Sequence, residues 1–148
     1  MVGVVIVGLL VALAIPAFRK VRNTSQAKIV ANDLRVFAGA FQSYNSQNAR
    51  WPAEAAAGVY PPEMAALLNQ TNWERVTPFG GSYNWDNNQT HSGQRYAAAI
   101  AINSVTGRPL TAPQGVWQLV DTQVDDGNLA TGNFITGAGS QPVFIIQR

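Results

Sequence analysis

The chain has 148 residues, room for one domain plus an appendage, and only 12% of them are charged, about half the usual share. It contains no cysteine, which excludes structural disulfides and cysteine-ligated metal sites. Residues 1–47 carry Arg19, Lys20, Arg22, Lys28 and Arg35 against Asp33, a net of +4, whereas residues 48–148 carry five arginines against seven carboxylates, a net of −2. A nucleic-acid-binding domain shows a basic face on its folded part. The later hundred residues have none, so no nucleic-acid partner is expected for this chain alone.

Residues 1–18 contain no charged side chain and reach the length needed for a membrane span. A buried core helix would show a polar stripe, but Val2, Val4, Val5, Ile6, Val7, Leu9, Leu10, Val11, Leu13 and Ile15 leave none. A removable signal would place its basic residues before the apolar run; here Arg19, Lys20 and Arg22 follow it. The expectation is a retained membrane helix. Those three cations would hold the rest of the chain in the cytoplasm by the positive-inside rule, unless a basic leader precedes Met1.

Beyond Pro16 the helical pattern changes character. Ala27, Val30, Leu34, Phe37, Phe41 and Tyr44 recur at steps of three and four, while Lys28, Asn32, Arg35, Gln42 and Ser46 fall on the other side. That periodicity predicts an amphipathic helix packing on the rest of the chain through Val30, Leu34, Phe37, Phe41 and Tyr44. Pro16 should kink or locally open it, and Gly8 weakens the same stretch. Trp51-Pro52 ends the pattern. We therefore expect a long helix over residues 1–47, a rod of roughly 70 Å if continuous, and a globular, β-rich head over residues 48–148.

In the head, Pro61-Pro62-Glu63 suits a helix start, with Met64, Leu67 and Leu68 as its apolar face. Thr77-Pro78-Phe79-Gly80-Gly81-Ser82 reads as a turn leading into a strand at Tyr83-Asn84-Trp85. Residues 87–94, rich in Asn and Gln and including His91, read as a hairpin loop. Residues 96–102 read as a strand with Tyr96, Ala98, Ile100 and Ile102 on one face. Thr111 to Gln114 has capping-box spacing before a helix bearing Val116, Trp117, Val120 and Val124. Phe134-Ile135 and residues 142–148 are the last strands, the final one covered on both faces. The fold class expected is α+β: a long N-terminal helix packed on a small antiparallel sheet with two short helices.

The apolar run with Gly8 and Pro16, the basic residues that follow and the small head resemble the type IV pilin and type II secretion pseudopilin family. Thr77-Pro78-Phe79-Gly80-Gly81-Ser82-Tyr83 is similar to the Pro-aromatic-Gly turn of many of its members. The resemblance implies that residues 1–18 form a filament's central bundle, with Val4, Val5, Gly8, Leu9, Ala12, Leu13 and Pro16 in assembly. Gly8 and Pro16 would bound a segment that unwinds on assembly. It implies an inner-membrane precursor, an assembly platform, a prepilin peptidase and then an extracellular homo-oligomeric helical filament. It also implies, upstream of Met1, a basic leader ending in glycine, an aromatic residue and a glutamate. The C-terminal disulfide of many pilins has no counterpart here, so strand pairing must hold the tail.

Catalytic patterns are missing. No Gly-x-Ser-x-Gly, phosphate loop or dinucleotide fingerprint occurs, and the lone His91 reads as a solvated loop residue; no enzyme activity is expected. Asp121, Asp125, Asp126 and Asn128 crowd the end of a predicted helix, where the dipole disfavours carboxylates. Oxygen ligands suit Ca²⁺, although the spacing is not that of an EF-hand and solvated turn residues are the plain alternative. Trp51, Trp73, Trp85 and Trp117 could line a sugar-binding surface or complete the core. Asn23, Asn69 and Asn88 head glycosylation sequons that we take as chance. The reading is a structural filament subunit of a pilus. The alternatives are a secretion pseudopilin or a non-polymerising, single-span anchored periplasmic binding module.

Overall fold

A computed structural model describes residues 2–148, with the side chains of Val2, Val11, Leu13 and Ala14 outside the description. Helix α1 runs from Val2–Asn48 and occupies 47 residues. Its secondary structure is not interrupted at Pro16, where a kink or local opening was expected. Proline removes one backbone bond, and the turns on either side keep theirs. Asn48 closes the helix by donating its side-chain amide to the Tyr44 carbonyl at 2.9 Å.

The head follows as a 3₁₀ turn at Pro62–Met64, α2 at Gln70–Glu74, β1 at Ser82–His91, β2 at Gln94–Asn103, α3 at Val116–Val124, β3 at Phe134–Thr136, a 3₁₀ turn at Ala138–Ser140 and β4 at Pro142–Gln147. The strands form one antiparallel sheet in the order β1-β2-β4-β3. The architecture is α+β, a long helix on a small four-stranded sheet with short helices. The last strand lies inside the sheet, between β2 and β3, so the C-terminal tail is held by pairing on both edges.

Local chemistry explains several departures from the sequence pattern. Residues 87–94 are mostly strand rather than loop: β1 and β2 pair out to His91 and Gln94, leaving Ser92 and Gly93, both at positive φ, as the turn. Ladder bonding outweighs the poor strand propensity of Asn and Gln. Helix α3 begins after Gly115 with no side-chain cap, so the capping box of Thr111 is not formed. Asn69 instead caps α2, accepting from the Asn72 amide at 3.0 Å, a helix the periodicity did not announce. Tyr96 packs with Ala99, Ala101, Ile135, Val143 and Ile145, not with Ala98, Ile100 and Ile102. A register shift between Ala98 and Ala99 breaks the alternation of faces.

The main core lies between α1 and the sheet. Val30, Leu34, Phe37, Phe41 and Tyr44 are all buried, as are Met64, Trp73, Tyr83, Trp85, Ile100, Val120 and Phe134. Phe41 stacks on Trp85 with centroids 3.8 Å apart and planes 5° from parallel. Phe37 meets Trp73 and Tyr83 edge-on at 5.2 and 4.9 Å. Three indoles bond within the chain: Trp73 to the Val59 carbonyl, Trp85 to that of Pro52, and Trp51 to Gln147 Oε1. Trp73 and Trp85 therefore complete the core. The turn at Gly80 holds the segment before α3 in place. Its φ is +76°, and a Cβ there would sit 2.0 Å from the Pro109 carbonyl oxygen, so only glycine fits.

Two polar contacts orient the helix on the head. Asp33, buried in α1, accepts from Tyr83 Oη at 2.6 Å and from the Arg75 guanidinium. Burial, followed by the Asp33 charge and hydrogen bond, pushes the Tyr83 hydroxyl pKa far up. At the helix end, Glu63 accepts from Tyr44 Oη at 3.1 Å, pairs with Arg50 at 2.7 Å and accepts from the Ala53 amide. The Ala53 bond, then Arg50, holds the Glu63 carboxyl below its ordinary pKa.

Two predictions follow from this packing. Phe41→Ala should cost about 3–5 kcal/mol, whereas Val36→Ala on the exposed side should cost under about 0.5 kcal/mol; chemical unfolding of the full chain in detergent measures both. Because the folded-state pKa of Glu63 is lowered, its contribution is complete above the ordinary value of 4.5 and is lost as pH falls through the folded value. Glu63→Gln should cost below about 1 kcal/mol at neutral pH, since the pair is exposed. The difference from the parent should vanish in acid, read from unfolding midpoints between pH 7 and pH 3.

Candidate functional sites: the apolar rod and the acidic cluster

The two halves of α1 meet different surroundings. From Ala27 onward one side is sealed by the head. Before that, Val4, Val5, Ile6, Val7, Leu9, Leu10, Ile15 and Phe18 are each at least half exposed. Of the residues expected in assembly, Val4, Val5, Gly8, Leu9, Ala12 and Pro16 are exposed on this projecting stretch; the side chain of Leu13 lies outside the described residues. No atom comes within 4 Å of a Cβ added at Gly3 or Gly8, so these two positions leave smooth gaps on the rod. The apolar window of α1 is long enough to cross a membrane and none of it is buried. Soluble monomers rarely leave so large a contiguous apolar surface bare.

Arg19, Lys20 and Arg22 close this stretch, where cationic side chains can reach an interfacial layer while their stems stay on apolar surface. Thr24 bonds back to the Lys20 carbonyl at 2.9 Å. The transition from all-round apolar to one-sided burial is complete within two turns, between Arg22 and Val30.

The second cluster sits on the head, where α3 ends. Asp121 is fully buried; among the described residues no hydrogen bond of ordinary geometry reaches its carboxylate oxygens, and the Gly127 amide is the backbone donor that interacts with them weakly. One ligand oxygen from each of Asp121, Asp125 and Asp126 lies within 4.8 Å of the others. Asp125 caps α3 and its Oδ2 accepts from the Asn133 and Phe134 amides. Asp126 accepts from the Asn128 amide at 2.8 Å and from Thr131 Oγ1 at 2.7 Å. Asn128, grouped with these residues in the sequence, turns its Oδ1 to the Ala130 amide at 3.2 Å. Burial, countered in part by the Gly127 amide and reinforced by Asp126 and Asp125, raises the Asp121 pKa. Asp126 is lowered, chiefly by Thr131 and the Asn128 amide.

His91 is not a solvated loop residue. It ends β1 half-buried, its Nε2 2.9 Å from Asp86 Oδ2. Both residues belong to β1, on either side of Asn88, whose φ of +60° interrupts the extended backbone between them; a loop reading could not foresee the contact. Trp117 meets Phe79 edge-on at 5.5 Å, so it serves packing as well.

Leu10 lies near the middle of the apolar run, so Leu10→Arg should weaken bilayer insertion of residues 1–18 by about 3 kcal/mol. A membrane-insertion assay on the full chain measures this, and unchanged insertion would show that this stretch does not enter lipid. No protein-family model matches the chain, and no curated protein matches it.

Proposed function

We propose that this chain is a structural subunit of a type IV pilus-like filament, assembled through the apolar half of α1. One observation carries the reading: a single unbroken helix leaves its described side chains between Gly3 and Phe18 exposed and apolar, and from Ala27 onward packs one side against the folded head. Eight large apolar side chains are bare in the first of these stretches. Burying each contributes roughly 1.5–3 kcal/mol relative to water, about 12–24 kcal/mol in all as an upper bound. Such a surface has two stable surroundings, lipid or other copies of itself. In lipid the subunit is stored as an inner-membrane precursor. Extracted by an assembly platform after a prepilin peptidase has acted, the helices pack on one another and the heads form the outside of the polymer.

No catalytic role is proposed. The resemblance of residues 1–18 and of the turn at residues 77–83 to type IV pilins and pseudopilins supports the same reading. The head then serves as outer cladding, and α1 transmits load between layers of subunits.

The test is to express the whole chain, and a variant lacking residues 2–14, with the export and assembly proteins of a type IV pilus system, and to image sheared filaments. The whole chain should enter extracellular polymers, and the variant should yield only soluble heads. A whole chain that stays monomeric in the bilayer, never reaching a polymer, would overturn the proposal and favour an anchored, non-polymerising module.

A further inference from the structure

We propose that the cleft between the end of α1 and the last residues of β4 binds a neutral saccharide, with Trp51 as its stacking face. Such a site does not depend on filament assembly: it lies on the head and on the part of α1 packed against it. Gln42, Asn45, Ser46, Trp51, Ile146 and Gln147 line the cleft, whose volume is about 380 Å³, inside the roughly 300–1,000 Å³ usual for small-molecule sites. Trp73 and Trp85 are spent in the core, whereas Trp51 stays partly exposed in this wall.

A sugar ring offers a flat C–H face and a rim of hydroxyls that each donate and accept. An indole takes the first, being a wide apolar plane. Carboxamides take the second, because each carries donors and an acceptor on one rigid group. The cleft has them on Gln42, Asn45 and Gln147; Gln42 and Gln147 are exposed and Asn45 partly so. None of its lining residues is charged, so an ionic ligand would find no counter-charge in it. The aromatic wall is set before any ligand arrives. Ala49 ends α1 in the left-handed region, φ +54°, its amide on the Asn45 carbonyl at 2.8 Å, which turns the chain off the helix. The Pro52 carbonyl then accepts from the Trp85 indole at 3.1 Å and the Asn87 side-chain amide at 2.8 Å. Between these anchors Trp51 lies 5.7 Å from Trp85, centroid to centroid, and donates to Gln147 Oε1 at 2.9 Å. A wall held in this way loses little freedom on binding. A smaller cleft of about 280 Å³ shares Gln42 and Ile146 and reaches back along α1 to Gly39 and Arg35, which leaves room for a further sugar unit.

The full-length protein, in a detergent without a sugar head group, is titrated with lactose, maltose, cellobiose and N-acetyllactosamine, and with glucuronic acid as the charged control. Calorimetry and tryptophan fluorescence follow binding. At least one neutral disaccharide should bind with a Kd on the order of 10⁻³ M, the weak range of an open, shallow site, and should shift the tryptophan emission to the blue. Trp51→Ala should abolish measurable binding. Should that variant misfold, Gln42→Ala decides: on an exposed residue, it should weaken binding about fivefold at an unchanged melting temperature. No heat and no spectral shift with any of the neutral sugars, or parental affinity in the variants, would overturn the site. Tighter binding of glucuronic acid would overturn the choice of a neutral ligand. Self-association that Trp51→Ala abolishes, with no response to sugar, would give the cleft to a second copy of the chain instead.

Discussion

Helix α1 has to be compatible with two surroundings at once, and the rest of the molecule is arranged around that requirement. Between Gly3 and Phe18 its described side chains are apolar and exposed; from Ala27 onward it offers apolar surface to the head on one side. The change takes place between Arg22 and Val30, in a stretch carrying cations and hydroxyls that neither lipid nor a protein core would accept readily. Because the backbone is helical through Pro16 and beyond, whatever holds the apolar half is mechanically continuous with the head. A hinge at this point would uncouple them.

The apolar contact between α1 and the sheet is strong but, by itself, permissive of sliding. Phe37 and Phe41 meet a wall of Trp73, Tyr83 and Trp85, and aromatic faces tolerate small shifts. The polar contacts do not. Asp33 is buried in α1 and must meet both Tyr83 and Arg75; a one-turn slip would leave a carboxylate without partners at a cost of several kcal/mol. Glu63 joins the helix end, Arg50 and the Ala53 amide in the same manner, although its exposure makes it the weaker of the two. Register comes from these acids, and cohesion from the aromatic wall.

Without disulfides, the C-terminal tail is secured by topology. Strand β4 is an interior strand, paired to β2 and β3, so removing it would open two ladders together. The loop that brings the chain from α3 to β3 depends on carboxylates used as fasteners: Asp125 on Asn133 and Phe134, Asp126 on Asn128 and Thr131. Asp121 differs from these two: it is buried, and among the described residues no hydrogen bond of ordinary geometry reaches its carboxylate.

Much of this molecule could be read from the order of its residues. The extent of α1, the side it buries, the α+β class and the strand at Tyr83 to Trp85 all rest on local periodicity, which is a property of sequence spacing alone. The exposed rod was legible for the same reason: eighteen residues without a charge leave no polar face to choose. What spacing could not supply was pairing. Residues 87–91 became strand because β2 lay beside them, against their own propensity. Tyr96 changed faces at a register shift that no alternation reveals. Asp33 reached Arg75 across 42 positions only once the chain had closed. The acids at residues 121–126 could be grouped by sequence, but only the tertiary structure decided which of them is buried, because desolvation depends on everything packed around a group and not on its neighbours in the chain.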